Sequence, residues 1–247
     1  LVHGTIRDPT DEKYAHLKKL DKATENLKLL ADLLDFNSLC SAIEGCRGVF
    51  HVASPAPAPS IALPNPEVEL IEPAVKGTLN VLKASAEAKV KRVITVSSGS
   101  AVVRNPNWPK DLVMDETCCS DEEHCRTTEN WYSLYKTEAE SEAWEYAKRT
   151  GLDVVAICPT LILGPILQST VNASAKALIK ILKDGCNSLE NGFRLIVDAR
   201  DVVEEQVLAY ETPEAKGRYI CMAHTIKVKD LVEKLRSTYH NYNYPKR

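Results

Sequence analysis

Tyr132 and Lys136 stand four residues apart in a stretch, Trp131–Thr150, that reads as a helix. At that spacing the phenol and the ammonium share one face, about one turn apart. Thirty-four residues before Tyr132, Ser98 closes the apolar run Val93–Val96, where a strand reaches its carboxyl end. A hydroxyl at a strand tip and a Tyr/Lys pair on the following helix can converge on one carbonyl oxygen. A carbonyl that accepts hydride gathers negative charge on oxygen and must then be protonated. A free phenol, with a pKa near ~10, shuttles protons poorly at neutral pH until a neighbouring cation shifts it. Lys136 supplies that cation, and Ser98 a hydrogen bond to the growing oxyanion. Ser97 is the rival for the serine role, because alternation along a strand turns the two hydroxyls to opposite faces and only one can serve. Tyr-x-x-x-Lys alone is common on helix surfaces, so the surrounding elements decide its weight.

Those elements alternate. Leu27–Ala31, Gly48–Ala53, Arg92–Ser97 and Asp153–Cys158 are short, mostly apolar runs that stop at polar, Gly or Pro residues, as buried strands do. Between them helices are expected at about Phe36–Ile43, Glu67–Ala88, Trp131–Thr150 and Asn172–Leu182. In the third, Trp131, Leu134, Tyr135, Ala139, Ala143 and Tyr146 follow a period near 3.6. Thr128 followed by Trp131 offers a weak helix cap. Alternation of this kind implies right-handed crossovers and a parallel sheet covered on both faces, with ligands beyond the carboxyl ends of the strands. Ser54–Pro66, with five prolines, is a loop at one such end, and Asn105–Ser120 is a second irregular stretch. After Pro165 the pattern is less regular, with a strand at Leu195–Val197, a helix from Asp201 and a short strand at Arg218–Met222. The expected fold is α/β, a Rossmann-like parallel sheet over residues 1–165 with a smaller C-terminal substrate lobe over 166–247, interleaved with the sheet.

Composition narrows the function. With 44% hydrophobic residues, 26% charged residues and a net charge of −3, the chain can bury a core and carries no broad cationic surface for nucleic acid or anionic membrane. No apolar run approaches the ~18 residues of a spanning helix, and no signal peptide opens the chain, so a cytoplasmic protein is expected. The eight cysteines fit no metal template, and reduced thiols are the simplest reading.

Taken together, Arg92–Ser98 (RVITVSS), Asn107-Trp108-Pro109, Asp115-Glu116, Asn130–Lys136 (NWYSLYK) and Asp153–Pro165 (DVVAICPTLILGP) resemble the cinnamoyl-CoA reductases, within the extended short-chain dehydrogenases/reductases. The likeness runs from Val2 to the last residues, and extends more loosely to the dihydroflavonol reductases. It implies that Ser98, Tyr132 and Lys136 are the catalytic trio, with Tyr132 as proton donor, Ser98 polarising the carbonyl and Lys136 also holding the nicotinamide ribose. It implies NADP as cofactor: Arg7, helped by Lys13, would face the 2′-phosphate, which a planar guanidinium suits. Asp8 keeps an NAD-type ribose contact open. Asp32 and Leu33 resemble the pair that brackets adenine, Val52-Ala53-Ser54 the turn beneath the ribose, and Pro159 to Ile162 the segment beside the nicotinamide amide.

The resemblance also places a strand and a Gly-rich turn upstream of Arg7. The chain opens at Leu1, inside a strand-like run, and usually such proteins continue beyond Tyr244–Arg247. A partial sequence is therefore expected, lacking the central first strand of the sheet and its pyrophosphate site. Three of the seven positions in NWYSLYK differ from the family's usual NWYCYGK, and its Cys-Trp-Ser is here Cys118-Cys119-Ser120. The expected partner is a small aromatic carbonyl or coenzyme A thioester. The alternatives are a dihydroflavonol-type ketone or aryl aldehyde reductase and, from another class, a non-catalytic paralogue acting as a binding protein. Arg200 and His224, in the substrate lobe, are candidates to meet an anionic substrate or to play a structural part.

Overall fold

The computed structural model describes residues 2–6, 8, 10–30, 32–55, 64–183, 192–242 and 244. Its strands are β1 (Val2–Thr5), β2 (Leu27–Leu30), β3 (Gly48–His51), β4 (Arg92–Val96), β5 (Val154–Pro159), β6 (Leu161–Leu163), β7 (Phe193–Asp198), β8 (Gly217–Cys221) and β9 (His224–Lys227). Its helices are α1 (Ala23–Asn26), α2 (Phe36–Ile43), α3 (Glu72–Glu87), α4 (Glu122–Thr127), α5 (Trp131–Thr150), α6 (Ala173–Lys183), α7 (Ala199–Glu211) and α8 (Val228–Thr238).

The main sheet is parallel, in the order β3-β4-β5-β8. β4 and β5 lie in its middle, which is why they read as unbroken apolar runs: every residue of β5 is buried, as is β4 up to Thr95. Alternation divides their side chains between two cores. Val93 and Val154 join Leu39, Ile43, Val81, Leu82, Ala143 and Tyr146 beneath α2, α3 and α5. Ile94, Val155 and Ile157 join Val202 and Ala209 of α7 on the opposite face. β1 and β2 form a separate parallel pair, and among the described residues no strand pairing joins β1 to β3. The interruption expected in the sheet lies there. A third sheet, β6-β7-β9, mixes parallel and antiparallel pairing.

Several sequence expectations shift in the structure. The helix expected from Glu67 begins as a π-type turn over Glu67–Ile71 before Glu72 opens regular α-helix. α7 begins two residues before Asp201, because Asp198 caps it by accepting from the Arg200 backbone N–H. α4 and α8 were not anticipated. For α8 the signal was present: Val228, Leu231, Val232 and Leu235 recur at helical spacing, and Val228, Val232 and Leu235 pack with Tyr244.

Arg92 locks α7 onto the sheet. Its side chain is buried, pairs with Asp153 at 2.8 Å, and donates to the carbonyls of Ala209, Thr212 and Pro213 at 2.7, 2.5 and 3.0 Å. A cation thus satisfies the open carbonyl end of the helix, where its charge also suits the macrodipole. Among the described residues no helix is long and apolar enough to cross a membrane.

Replacing Arg92 with Ala leaves those carbonyls without their donor. The expected cost is about 1.5–3 kcal/mol, the range for hydrogen bonds to a charged group. At roughly 2–4 °C per kcal/mol for a chain of this size, Tm should fall by roughly 3–12 °C in a thermal melt.

Candidate active site

β4 hands the chain to Ser97 and Ser98, and a single 3-10 turn, Gly99–Ala101, follows. Ser98 caps this turn, its Oγ accepting from the Ser100 N–H at 3.1 Å. Gly99 permits a close approach: a Cβ there would stand 3.2 Å from Thr160 Cγ2 and 3.5 Å from the Pro159 carbonyl, so the ends of β4 and β5 meet at this point. α5 starts at Asn130, whose side chain accepts from the Ser133 N–H at 3.2 Å. That cap, and not Thr128, fixes the first turn; asparagine is among the strongest N-cap residues, so the signal was legible. The Thr128 hydroxyl instead donates to the carbonyl of His124 at 2.6 Å.

Tyr132 lies in that first turn and is 46% exposed. Its hydroxyl donates to Ser98 Oγ at 3.5 Å. One turn later Lys136 is buried, its Nζ donating to the Val96 carbonyl at 3.1 Å and lying 5.7 Å from the centroid of the Tyr135 ring. Burial pulls the Lys136 ammonium down to about 8, against the opposing pull of Cys158 and Glu140, which favour the charged form. Ser97 turns the other way and donates to the buried Glu140 carboxylate. The strand alternation that made Ser97 and Ser98 rivals thus leaves Ser98 as the one that meets Tyr132.

A cavity of about 30 Å³ opens beneath these residues, lined by His51, Ser54, Thr78, Thr95, Lys136 and Glu140 among others. His51 shares a hydrogen bond of 3.1 Å with Thr78. Desolvation first, and then the Lys136 charge, hold its imidazole down to about 4, so at neutral pH it is uncharged.

The cofactor candidates fall in different places. Val52 and Ala53 are exposed just after β3, and Ser54 lines the same cavity as Lys136. An open backbone of small residues beside a lysine ammonium suits a ribose with its ring, so this half of the site fits a nicotinamide nucleotide. Pro159 ends β5 opposite Cys221, and Ile162 is half-buried in β6, packed on the core beneath α7. Asp32 and Leu33 lie beyond β2, at the far side of the interruption in the sheet. The Asp32 carboxylate accepts from the Leu34 N–H at 2.9 Å, while the Leu33 side chain packs against α3 at Gly77, where a Cβ would be 2.7 Å away. The Leu33 carbonyl accepts from Asn80 Nδ2 of the same helix at 3.4 Å. Arg7 lies outside the described residues, as does the side chain of Lys13. Asp8 accepts from both the N–H and the hydroxyl of Thr10, at 2.8 and 2.6 Å. Arg200 turns back on Asp198, donating at 2.9 and 2.7 Å, whereas His224 lines a separate cavity of about 280 Å³ with Gly164, Asp198 and Asp201.

The positions where NWYSLYK departs from the family's usual stretch are Ser133, Leu134 and Tyr135, and all three are buried. Leu134 and Tyr135 face the core beside Leu70, Ile71 and Cys125, and Ser133 is buried as well, while Tyr132 faces out, so the departures change packing behind the phenol. Sequence reading missed Glu140 and Arg218, a buried ion pair at 2.6 Å. The signal for Glu140 was its place four residues after Lys136, a carboxylate on a stripe that otherwise turns inward.

Comparison with known proteins accords with this geometry. The model of the NAD dependent epimerase/dehydratase family matches residues 1–221. Cinnamoyl-CoA reductase 1 of Petunia hybrida is 46% identical over 245 residues, covering 99% of this chain and 72% of that protein. The crystal structure of vestitone reductase from alfalfa (Medicago sativa) superposes with a TM-score of 0.80 at 30% identity, covering 98% of this chain and 74% of the other. Gre2 of Candida albicans, solved in complex with NADPH, gives a TM-score of 0.81 at 25% identity, covering 97% and 76%.

The state of His51 gives a stability test. Its folded pKa lies below its unfolded value, so from about pH 6.5 down towards 4 the unfolded chain binds a proton that the folded protein refuses. Stability should therefore fall with acidification across that window, by up to about 3 kcal/mol from this group. Denaturant titrations at successive pH values should show the slope, and His51→Gln should flatten it.

Proposed function

The chain belongs to the NAD dependent epimerase/dehydratase family, and on that premise we propose that it is an NADP-dependent reductase of a phenylpropanoid carbonyl, with a cinnamoyl-CoA thioester as substrate and the aldehyde as product. The observation that carries the reading is the meeting of Tyr132 and Ser98 hydroxyls above a buried lysine. Bound NADPH supplies the hydride that adds to the carbonyl carbon. Ser98 donates a hydrogen bond to the oxygen as it gains charge, and Tyr132 delivers the proton to it. The Lys136 ammonium, one turn away, stabilises the phenolate left behind and holds the ribose hydroxyls. For a thioester, the tetrahedral adduct then expels coenzyme A as its thiolate, and the oxygen returns its proton to the Tyr132 phenolate as the aldehyde forms.

The thioester assignment draws on the similarity to the petunia enzyme, and on the finding that the departures at Ser133, Leu134 and Tyr135 are buried behind the phenol. A second reading, a ketone or aryl aldehyde reductase, is favoured by the likeness to vestitone reductase and by the exposed Cys119 where a Trp is usual. In either reading residues 1–165 carry the nucleotide and 166–247 form the substrate lobe. β8 and α7 return from that lobe to the main sheet, so the two units interleave. Arg7 with Lys13 selects the 2′-phosphate. Free thiols at all seven described cysteines suit a cytoplasmic enzyme.

The full-length protein should oxidise NADPH with feruloyl-CoA in preference to a dihydroflavonol or simple aryl aldehydes. Absence of turnover with every one of them would overturn the reductase assignment, and preference for the ketone would select the second reading. Tyr132→Phe should lower kcat by ~10²–10⁴, the range for a positioned acid–base group. Arg7→Ala should raise the KM for NADPH at least about tenfold while leaving that for NADH nearly unchanged, since only the former carries the phosphate that guanidinium pairs with; equal effects on both would remove Arg7 from the cofactor site.

A further inference from the structure

Glu140 is a buried carboxylate with partners on several elements near the candidate site, and the reaction as described leaves it without a part. It lies one turn after Lys136 on α5 and is 4% exposed. One carboxylate oxygen accepts from Arg218 Nε at 2.6 Å and from Trp144 Nε1 at 3.2 Å. The other accepts from the Ser97 hydroxyl and, at 3.7 Å, from the Cys158 thiol. These donors come from β8, α5 itself, the tip of β4 and the end of β5. Arg218 in turn donates to the Cys118 carbonyl at 2.6 Å, drawing in the loop that precedes α4. A buried ion pair is a poor source of stability, because desolvation offsets most of its attraction. Its value lies in fixing geometry, and the geometry fixed here is specific: Ser97 is the neighbour of Ser98, and Glu140 shares a helix face with Lys136.

We propose that Glu140 is a positioning residue for the catalytic trio, tying the strand tip that carries Ser98 to the helix that carries Tyr132 and Lys136, and setting the electrostatic environment of the lysine. The inference rests on the assignment of that trio under the proposed function. Glu140 and Lys136 line the same small cavity, so no packed apolar side chain need separate the carboxylate from the ammonium. The other polar residues lining that cavity are the uncharged His51 from β3, Ser54, Thr78 from α3, Thr95 from β4 and Ser97, with the buried Cys158 thiol on β5 nearby. The groups facing Glu140 are Arg218, Ser97, Trp144 and Cys158. Glu140 is thus a carboxylate that offsets the cost of burying Lys136, and Arg218 holds it in place at 2.6 Å.

The test is the pH profile of kcat/KM in the full-length enzyme with NADPH and its best carbonyl substrate. Removing the carboxylate takes away one of the pulls that oppose burial, so Lys136 should lose its proton at lower pH. In Glu140→Gln the alkaline limb should move down by about one pH unit, with kcat at pH 7 reduced roughly tenfold. A merely structural role would lower yield or Tm and leave the limb in place. Should Glu140→Gln fail to fold, the double variant Glu140→Met/Arg218→Met, which replaces the pair by packed apolar side chains, carries the same expectation. Ser97→Ala, which removes a tether and no charge, should lower kcat without moving the limb. A wild-type limb and kcat in a folded Glu140 variant, beside an inactive Tyr132→Phe, would overturn the inference alone. An undiminished rate in Tyr132→Phe would overturn the trio and this inference with it.

Discussion

A lysine that is nine-tenths buried and still asked to be positive constrains everything around it. Lys136 is held by the Val96 carbonyl, lies near the Tyr135 ring and shares a cavity with a carboxylate, and burial still brings its ammonium down to about 8. The charge is useful only if it lies one helical turn from a phenol that faces out, and only if that phenol meets a hydroxyl from another element. Both conditions hold, because α5 is capped at Asn130 and because β4 ends beside it.

The rest of the fold can be understood as support for that arrangement. β4 and β5 are the innermost strands of the main sheet, buried on both faces, so the strand tip bearing Ser98 has little room to shift. α5 rests on the core beneath α3 through Ala143 and Tyr146, while α7 is locked to the opposite face by Arg92. Glu140 then joins strand tip, helix and β8 from below. Rigid elements hold a hydroxyl pair to the tolerance that proton transfer demands better than loops do.

Much of this was legible in the residues. Apolar runs broken by polar, Gly or Pro residues marked β4 and β5, because strands buried on both faces need no alternation, and β3, exposed at Phe50, reads the same way at the edge of the main sheet. Tyr132 and Lys136 were legible because helical spacing converts sequence distance into a shared face. Strand alternation posed the choice between Ser97 and Ser98, the family resemblance favoured Ser98, and in the structure Ser97 finds its partner on α5. Glu140 was missed because a lone carboxylate on a helix usually points to solvent, and its partner, Arg218, lies 78 residues away. α5 runs over Trp131–Thr150 as its apolar spacing implies, and only its cap differs, because Asn130, two residues beyond Thr128, holds the first turn. The packing of the Leu33 side chain against Gly77 is a contact that the local sequence does not announce.

The account stands or falls on where a substrate carbonyl goes. A crystal structure of the full-length protein with NADP and an aromatic carbonyl compound measures this directly. The account predicts the carbonyl oxygen within hydrogen-bond reach, ~2.6–3.2 Å, of both the Tyr132 hydroxyl and Ser98 Oγ, with Lys136 Nζ turned to the ribose. A carbonyl bound elsewhere, with Tyr132 and Ser98 bonded only to each other or to solvent, would contradict it.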